Sequence, residues 1–271
     1  AKQGTLGYAY HCMRETIYGR PVVGMLNINP QYIGASSGVY DTCKHELVHA
    51  LAFSPFLYPY FIDASGNRYQ RVFSTETRYF RDSTGTNQQK SVYKLVTPKL
   101  TAQVREHFNC SSIDGAELEE AGSPSSAAAH FEARMFMNEL MIASNGYEMY
   151  GAGGAAFSQF TFAVLEDSGW YQIANWTKAE PMLFGRKAGC TMVNDRCEDW
   201  KTKREGHFCD KRSWSDGSSI LRCNYDLTTK GSCDIVTYTA NLNYYEHLPD
   251  PRQGGSQEFF DRCPLVARDS R

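Results

Sequence analysis

Apolar residues crowd the stretch after Arg20-Pro21, where Val22, Val23, Met25, Leu26 and Ile28 precede Asn29-Pro30. A short β-rich run closing on an Asn-Pro turn signal predicts a strand that ends near Ile28. The period then lengthens. From Asp41 to Phe53, Cys43, Leu47, Ala50 and Leu51 recur at three- and four-residue spacings, with few breakers before Ser54-Pro55. This predicts a helix of about three turns, stopped at the proline. Residues 54–61, SPFLYPYF, are apolar but carry two prolines. They suit neither a regular helix nor a central strand, so a packed loop is expected.

Farther along, residues 68–96 are polar with aromatic and valine residues at irregular spacing, around a soft DSTGTNQQ segment at 82–89. Short strands flanking a turn are expected there. Leu100–Phe108 predicts a short helix, Asp114–Ala129 an exposed loop of small and polar residues, and His130–Ser144 a helix interrupted at Asn145-Gly146. GAGGAA at 151–156 reads as a turned segment, and Phe157–Leu165 as a buried helix ending before Gly169. The stretch 196–271 has five cysteines, few long apolar periods and many Gly, Ser, Asp and Asn residues, which predicts a separate small module held mainly by disulfides.

A chain of 271 residues can bury a sizeable core as one large or two smaller domains, and does not depend on staples alone. Its charges nearly cancel, 28 Lys and Arg against 30 Asp and Glu. With no basic run to follow phosphates, a nucleic-acid partner is not expected. Mean hydropathy is -0.48, and no stretch approaches the roughly 18 uninterrupted apolar residues of a membrane span. The chain opens on Ala1-Lys2-Gln3-Gly4-Thr5, as though processing or truncation had removed a preceding part. Nine cysteines cannot all pair within one chain, and six of them fall between 190 and 271 without a CxxC pair. That spacing predicts an oxidised, exported protein with at least one thiol left over.

The strongest chemical signal is His45-Glu46-Leu47-Val48-His49. Histidines at i and i+4 on a helix present two imidazoles on one face at a distance one metal ion can bridge, with the glutamate placed to reach a water on that ion. The extended form of this motif would put Gly and His at positions 52 and 55, which are Ala52 and Pro55 here. A third ligand must therefore come from farther away. His11, His107, His130, His207 and His247 are candidates, as are Glu132, Glu139 and Glu166. The aromatic loop with Phe56, Tyr58 and Tyr60 either shapes an apolar subsite or packs between lobes, and Tyr147 and Tyr150 either approach substrate or cover a surface. Asn109-Cys110-Ser111 and Asn175-Trp176-Thr177 match the glycosylation acceptor pattern.

GRPVVGMLNINP, HELVHALAFS, HFEARMFMNELM and VLEDSGWYQIANWTKAEPMLFGRKAGC together span most of the chain. The sequence resembles the leishmanolysin (major surface protease) family of zinc metalloproteases, a metzincin branch in which a long insertion separates the second and third zinc histidines. The resemblance implies an α+β fold with a metzincin-like core, that insertion, and a disulfide-rich C-terminal module shorter than the family's usual one. It implies a division into 1–54 with the zinc helix, 55–195 with the third ligand and the methionine turn, and 196–271. One Zn2+ would be held by His45, His49 and His130, with Glu46 as general base and Met141 as the methionine packed beneath the ligands. Activity would be endopeptidase hydrolysis of protein or peptide substrates by metal-activated water; the alternative is a weak or inactive ectodomain serving adhesion or a structural role. Ala52 stands where the family usually has glycine, which matters if the backbone there has positive φ. The resemblance also implies a Cys110–Cys190 bond. It pairs the counterpart of Cys12 with a cysteine upstream of Ala1 and offers none for Cys43, so Cys12 either bonds Cys43 locally or reaches an upstream fragment or second polypeptide. Secretion or display on the cell surface follows, with a pro-region and a lipid anchor as usual companions.

Overall fold

The structure is a computed structural model, and it describes residues 6–32, 37–121, 127–144, 150, 154–194, 196–197, 207–213 and 215–268. The reading of Tyr147 lies outside them. β1 (Gly7–Arg14) and β2 (Pro21–Ile28) form an antiparallel hairpin in which Gly7 faces Ile28 and Tyr10 faces Met25. The strand expected to end near Ile28 does end there. One face of the hairpin lies on α1 (Ser37–Leu51). Gly24 allows the close approach, since a Cβ at that position would come within 3.2 Å of the Ala50 Cβ.

α1 starts four residues before the expected Asp41 and closes where Ala52 N–H and Phe53 N–H both donate to the Val48 carbonyl. Ala52 is fully buried and is not among the residues with positive φ, so alanine is accommodated at this turn without left-handed backbone. The following loop contains a 3-10 turn at Tyr58–Tyr60 and buries Leu57, Tyr58 and Phe61 while leaving Phe56 76% exposed. Packing accounts for most of its aromatic character.

β3 (Phe73–Arg81) and β4 (Asn87–Leu95) pair along their full length. Asp82 ties the intervening turn by accepting from the Thr84 and Thr86 backbone N–H groups. Residues 114–129, expected as an exposed loop, instead contribute a buried third strand, β5 (Ala116–Leu118), beside β4. Small size was the reason for the pairing: a Cβ on Gly115 would lie 2.4 Å from the Leu95 carbonyl oxygen, so only glycine lets the chain enter this close. Glu117 is buried because Arg78 meets its carboxylate at 2.5 Å.

α2 (Pro98–Phe108) begins with proline at its first turn and ends at Asn109 in left-handed conformation. Asp167 accepts from the Lys99 and Leu100 N–H groups at its start, a carboxylate placed where unpaired donors and the helix dipole favour it. The continuous helix expected over His130–Ser144 does not form; only α3 (Ala133–Phe136) is helical. Met137 turns at φ +24, and the chain doubles back so that Phe131 N–H donates to the Met141 carbonyl and Leu140 N–H to that of Ala156. Every residue from Phe131 to Ile142 is buried, so tertiary pairing overrides local helix propensity here. α4 (Gln159–Asp167) then starts at Ser158, whose hydroxyl caps Phe160 N–H.

The main core runs from Val48 through Phe131, Phe136 and Phe160 to Phe208, Phe260 and Leu265. The cysteine-rich stretch thus shares this core as well as carrying the Cys197–Cys263 and Cys209–Cys233 bonds. Asp261 reaches Lys90 and Arg134 from that stretch, at 2.6 and 3.2 Å. Cys110 and Cys190 are bonded, while Cys12, Cys43 and Cys223 are unpaired. The local Cys12–Cys43 bond, one of the two alternatives, does not form: Cys12 is exposed and alternates along β1 with half-buried His11. Among the described residues no helix is long and apolar enough to cross a membrane.

Buried His107 packs edge-on against Phe108 and Phe160 and donates from Nε2 to the Phe184 carbonyl at 2.8 Å. Burial lowers its pKa from 6.5 to about 4. The unfolded chain therefore takes up a proton near pH 6.5 that the folded one refuses until about pH 4. The stability associated with this histidine is full above 6.5 and is lost as pH falls, on the order of 3 kcal/mol over the window. Urea unfolding of His107→Gln and wild type should show a gap at pH 7 that narrows or reverses by pH 4. A gap independent of pH would contradict the buried neutral assignment.

Candidate metal centre

Helix α1 carries His45 and His49 one turn apart, and the segment after β5 brings His130 against them. Their Nε2 atoms form a triangle: His45 to His49 is 2.9 Å, His49 to His130 is 3.1 Å, and His45 to His130 is 3.2 Å. The opposite ring nitrogens of the helical pair are committed elsewhere. His45 Nδ1 lies 2.6 Å from the Leu140 carbonyl oxygen and His49 Nδ1 lies 2.7 Å from that of Phe53. A carbonyl only accepts, so each Nδ1 must carry the proton and each Nε2 must present its lone pair inward.

Burial lowers the pKa of His45, and burial followed by the charges His45 and His130 would carry holds His49 well below 6.5. Neutral imidazoles are the form that ligates metal. Lone pairs converging at this range repel unless a cation lies between them. Zinc–nitrogen bonds of about 2.0–2.1 Å in tetrahedral geometry place two ligand nitrogens about 3.3 Å apart, close to the separations found. The donor set therefore fits a zinc ion.

Glu46 is next along the helix, 7% exposed, beneath the β1–β2 hairpin. Burial raises its carboxyl pKa to about 7 against the opposing effect of a hydrogen bond from the Ala9 backbone. A carboxyl in that range can hold or release a proton near neutrality. Gly7 makes room for it, since a Cβ there would meet the Glu46 Cγ at 3.3 Å.

Met141 is fully buried, and the residue before it supplies the carbonyl that anchors His45. Glu139 does not reach the histidines as a ligand. Its carboxylate instead accepts from Ser158 Oγ at 2.8 Å, from Thr161 Oγ1 at 2.5 Å and from the Met141 backbone N–H. Glu132 caps Arg134 N–H, and Glu166 pairs with Lys99. His11 lies on β1, His207 Nε2 accepts from Gly185 N–H, and His247 Nε2 donates to the Asp261 carbonyl. None of these joins the histidine cluster. Tyr150 is buried and donates to Asp234, so it covers the core rather than lining an open surface. Asn109 and Asn175 are both exposed.

Among the described residues two further groups bring metal-ligating atoms together. In one, Cys197 and Cys263 are joined to each other beside His247, which removes the thiolates. In the other, Glu119, Glu120 and Glu132 gather near Lys90, which already pairs with Glu120 and Asp261. The anchoring carbonyls of Leu140 and Phe53 had no sequence signal, because every residue carries one.

Comparison with known proteins agrees with this geometry. The leishmanolysin family matches residues 1–271. Leishmanolysin-like peptidases of Drosophila melanogaster and Caenorhabditis elegans are each 31% identical over 97% of the chain, covering 43% and 45% of their own lengths. Leishmanolysin of Leishmania major is 28% identical over 98% of the chain and 40% of its own length. The chain thus spans less than half the length of these relatives. With a family match along its whole length, and a histidine cluster suited to a metal-dependent peptidase, the chain belongs to the leishmanolysin family.

Proposed function

We propose that the chain carries the active centre of a zinc-dependent endopeptidase that hydrolyses protein or peptide substrates. The observation that carries this reading is the triangle of Nε2 atoms from His45, His49 and His130, with His45 and His49 fixed from behind by backbone carbonyls. These residues would hold one Zn2+, which when bound supplies Lewis acidity and a lowered pKa for water. Glu46 takes the proton of the attacking water and delivers it to the leaving amine nitrogen. His45 and His49 keep their orientation through Leu140 and Phe53, and Met141 fills the space under the turn.

In this reading the division at 1–54, 55–195 and 196–271 reflects a metzincin-like core with a long insertion before His130 and a disulfide-rich C-terminal part. The protein is secreted or displayed at the cell surface, with Asn109 and Asn175 as glycan acceptors. Exposed Cys12 is the attachment point for an upstream fragment or a second polypeptide.

The test is metal content together with cleavage. Purified protein should contain one zinc per chain by elemental analysis, lose cleavage of an unfolded protein substrate on chelation, and regain it with added zinc. Full cleavage by the zinc-free protein would sink this reading.

A further inference from the structure

We propose that Glu139 is a positioning residue for the metal centre, acting on His45 through a single peptide group. Its carboxylate accepts from the Met141 N–H, and the carbonyl of that same peptide, on Leu140, accepts from His45 Nδ1 at 2.6 Å. The inference rests on the zinc reading of the three histidines and extends it to a side chain that touches none of them.

The peptide between Leu140 and Met141 is planar, so fixing its N–H fixes the direction of its C=O. Burial raises this carboxyl to about 7; above that range its negative charge at the N–H end also polarises the amide and makes the carbonyl a stronger acceptor. That favours the Nδ1–H form of His45 and strengthens Nε2 as a donor to metal, as a carboxylate does when it contacts a ligand histidine directly. The carboxylate is itself held in place. Glu139 is fully buried, Ser158 and Thr161 bind its other oxygen, and the turn is pinned by Leu140 N–H to the Ala156 carbonyl at 2.8 Å. Ser158 and Thr161 belong to the start of α4, so this helix reaches His45 through Glu139 and one amide.

Zinc dissociation constants from competition with a chromophoric chelator test this in wild type, Glu139→Gln and Thr161→Val. Glutamine keeps the size and an acceptor oxygen but removes the charge. Glu139→Gln should bind zinc about 10–100-fold more weakly and shift the visible absorption bands of the cobalt-substituted protein. Thr161→Val, which removes one of the hydrogen bonds that hold the carboxylate, should weaken zinc binding in the same direction but less than Glu139→Gln. A merely structural carboxylate would leave zinc affinity at the wild-type value in both variants, and that result overturns the proposal. Should Glu139→Gln fail to fold, proton NMR of zinc-loaded wild type still decides: the Met141 amide and His45 Nδ1 protons should both lie far downfield, and an ordinary Met141 amide shift overturns it. Wild type that binds zinc but cleaves nothing would defeat the peptidase reading and leave the Glu139 result standing. Wild type that binds no zinc would defeat both.

Discussion

Glu46→Gln should retain zinc at the wild-type stoichiometry and lose peptide hydrolysis by about 10³-fold in kcat/KM, within the range for removing a positioned proton acceptor. That factor corresponds to about 4 kcal/mol of transition-state stabilisation. Glutamine has nearly the same shape and can still accept the hydrogen bond from the Ala9 backbone that Glu46 receives. It cannot take a proton from water. His45 and His49 do not depend on Glu46 for their orientation, since the Leu140 and Phe53 carbonyls hold them. Elemental analysis beside a fluorogenic peptide assay therefore separates proton transfer from metal binding. Equal rates for variant and wild type would remove Glu46 from the chemistry. The pattern is the reverse of that for Glu139→Gln, where metal affinity changes first.

The helical half of the centre was legible in the sequence because its information is local. His45, Glu46 and His49 occupy one helix, and the apolar spacing of Leu47, Ala50 and Leu51 marks that helix without any tertiary knowledge. His130 was different. Spacing left several histidines and glutamates open, and only the family resemblance favoured that position before the fold brought its Nε2 within 3.2 Å of the other two. The helix expected over His130–Ser144 failed for a related reason. Its composition favours helix, yet the segment is buried all round and satisfies its backbone against Glu117, Ala156 and its own far end. The buried strand at Ala116–Leu118 was hidden in the same way: three residues carry little periodicity, and the cue lay in Gly115 beneath the Leu95 carbonyl. Residues whose partners lie near in sequence were readable; those fixed by distant backbone were not.

Asp261→Asn should destabilise the protein by up to about 3 kcal/mol, short of the roughly 3–5 kcal/mol for stranding a buried charge, because Lys90 keeps its pairing with Glu120. Both oxygens of Asp261 accept from Lys90 Nζ at 2.6 Å, and Arg134 Nε approaches one of them at 3.2 Å. Burial alone would raise the carboxyl pKa, but Lys90 and Arg134 hold it below the usual value. Its stabilisation is therefore complete above the unfolded carboxylate pKa of about 3.9 and is lost as pH falls through the lower folded value. The difference between wild type and variant in urea unfolding should be full at pH 7 and shrink below about pH 4. Asparagine tolerates the left-handed backbone at this position, φ +54, so the change isolates charge from backbone strain. Adding Lys90→Met should cost less than the sum of the two single changes, because the interaction they share is lost only once; simple additivity would mean the pair does not couple. Arg134 follows His130 by four residues, in the segment that doubles back to Met141. Loss of Asp261 should consequently speed hydrogen exchange at Phe131 and Met141 ahead of the β1–β2 hairpin, whose ladder holds no partner of the carboxylate. Uniform acceleration would instead assign Asp261 to global stability alone and uncouple the cysteine-rich stretch from the histidine segment.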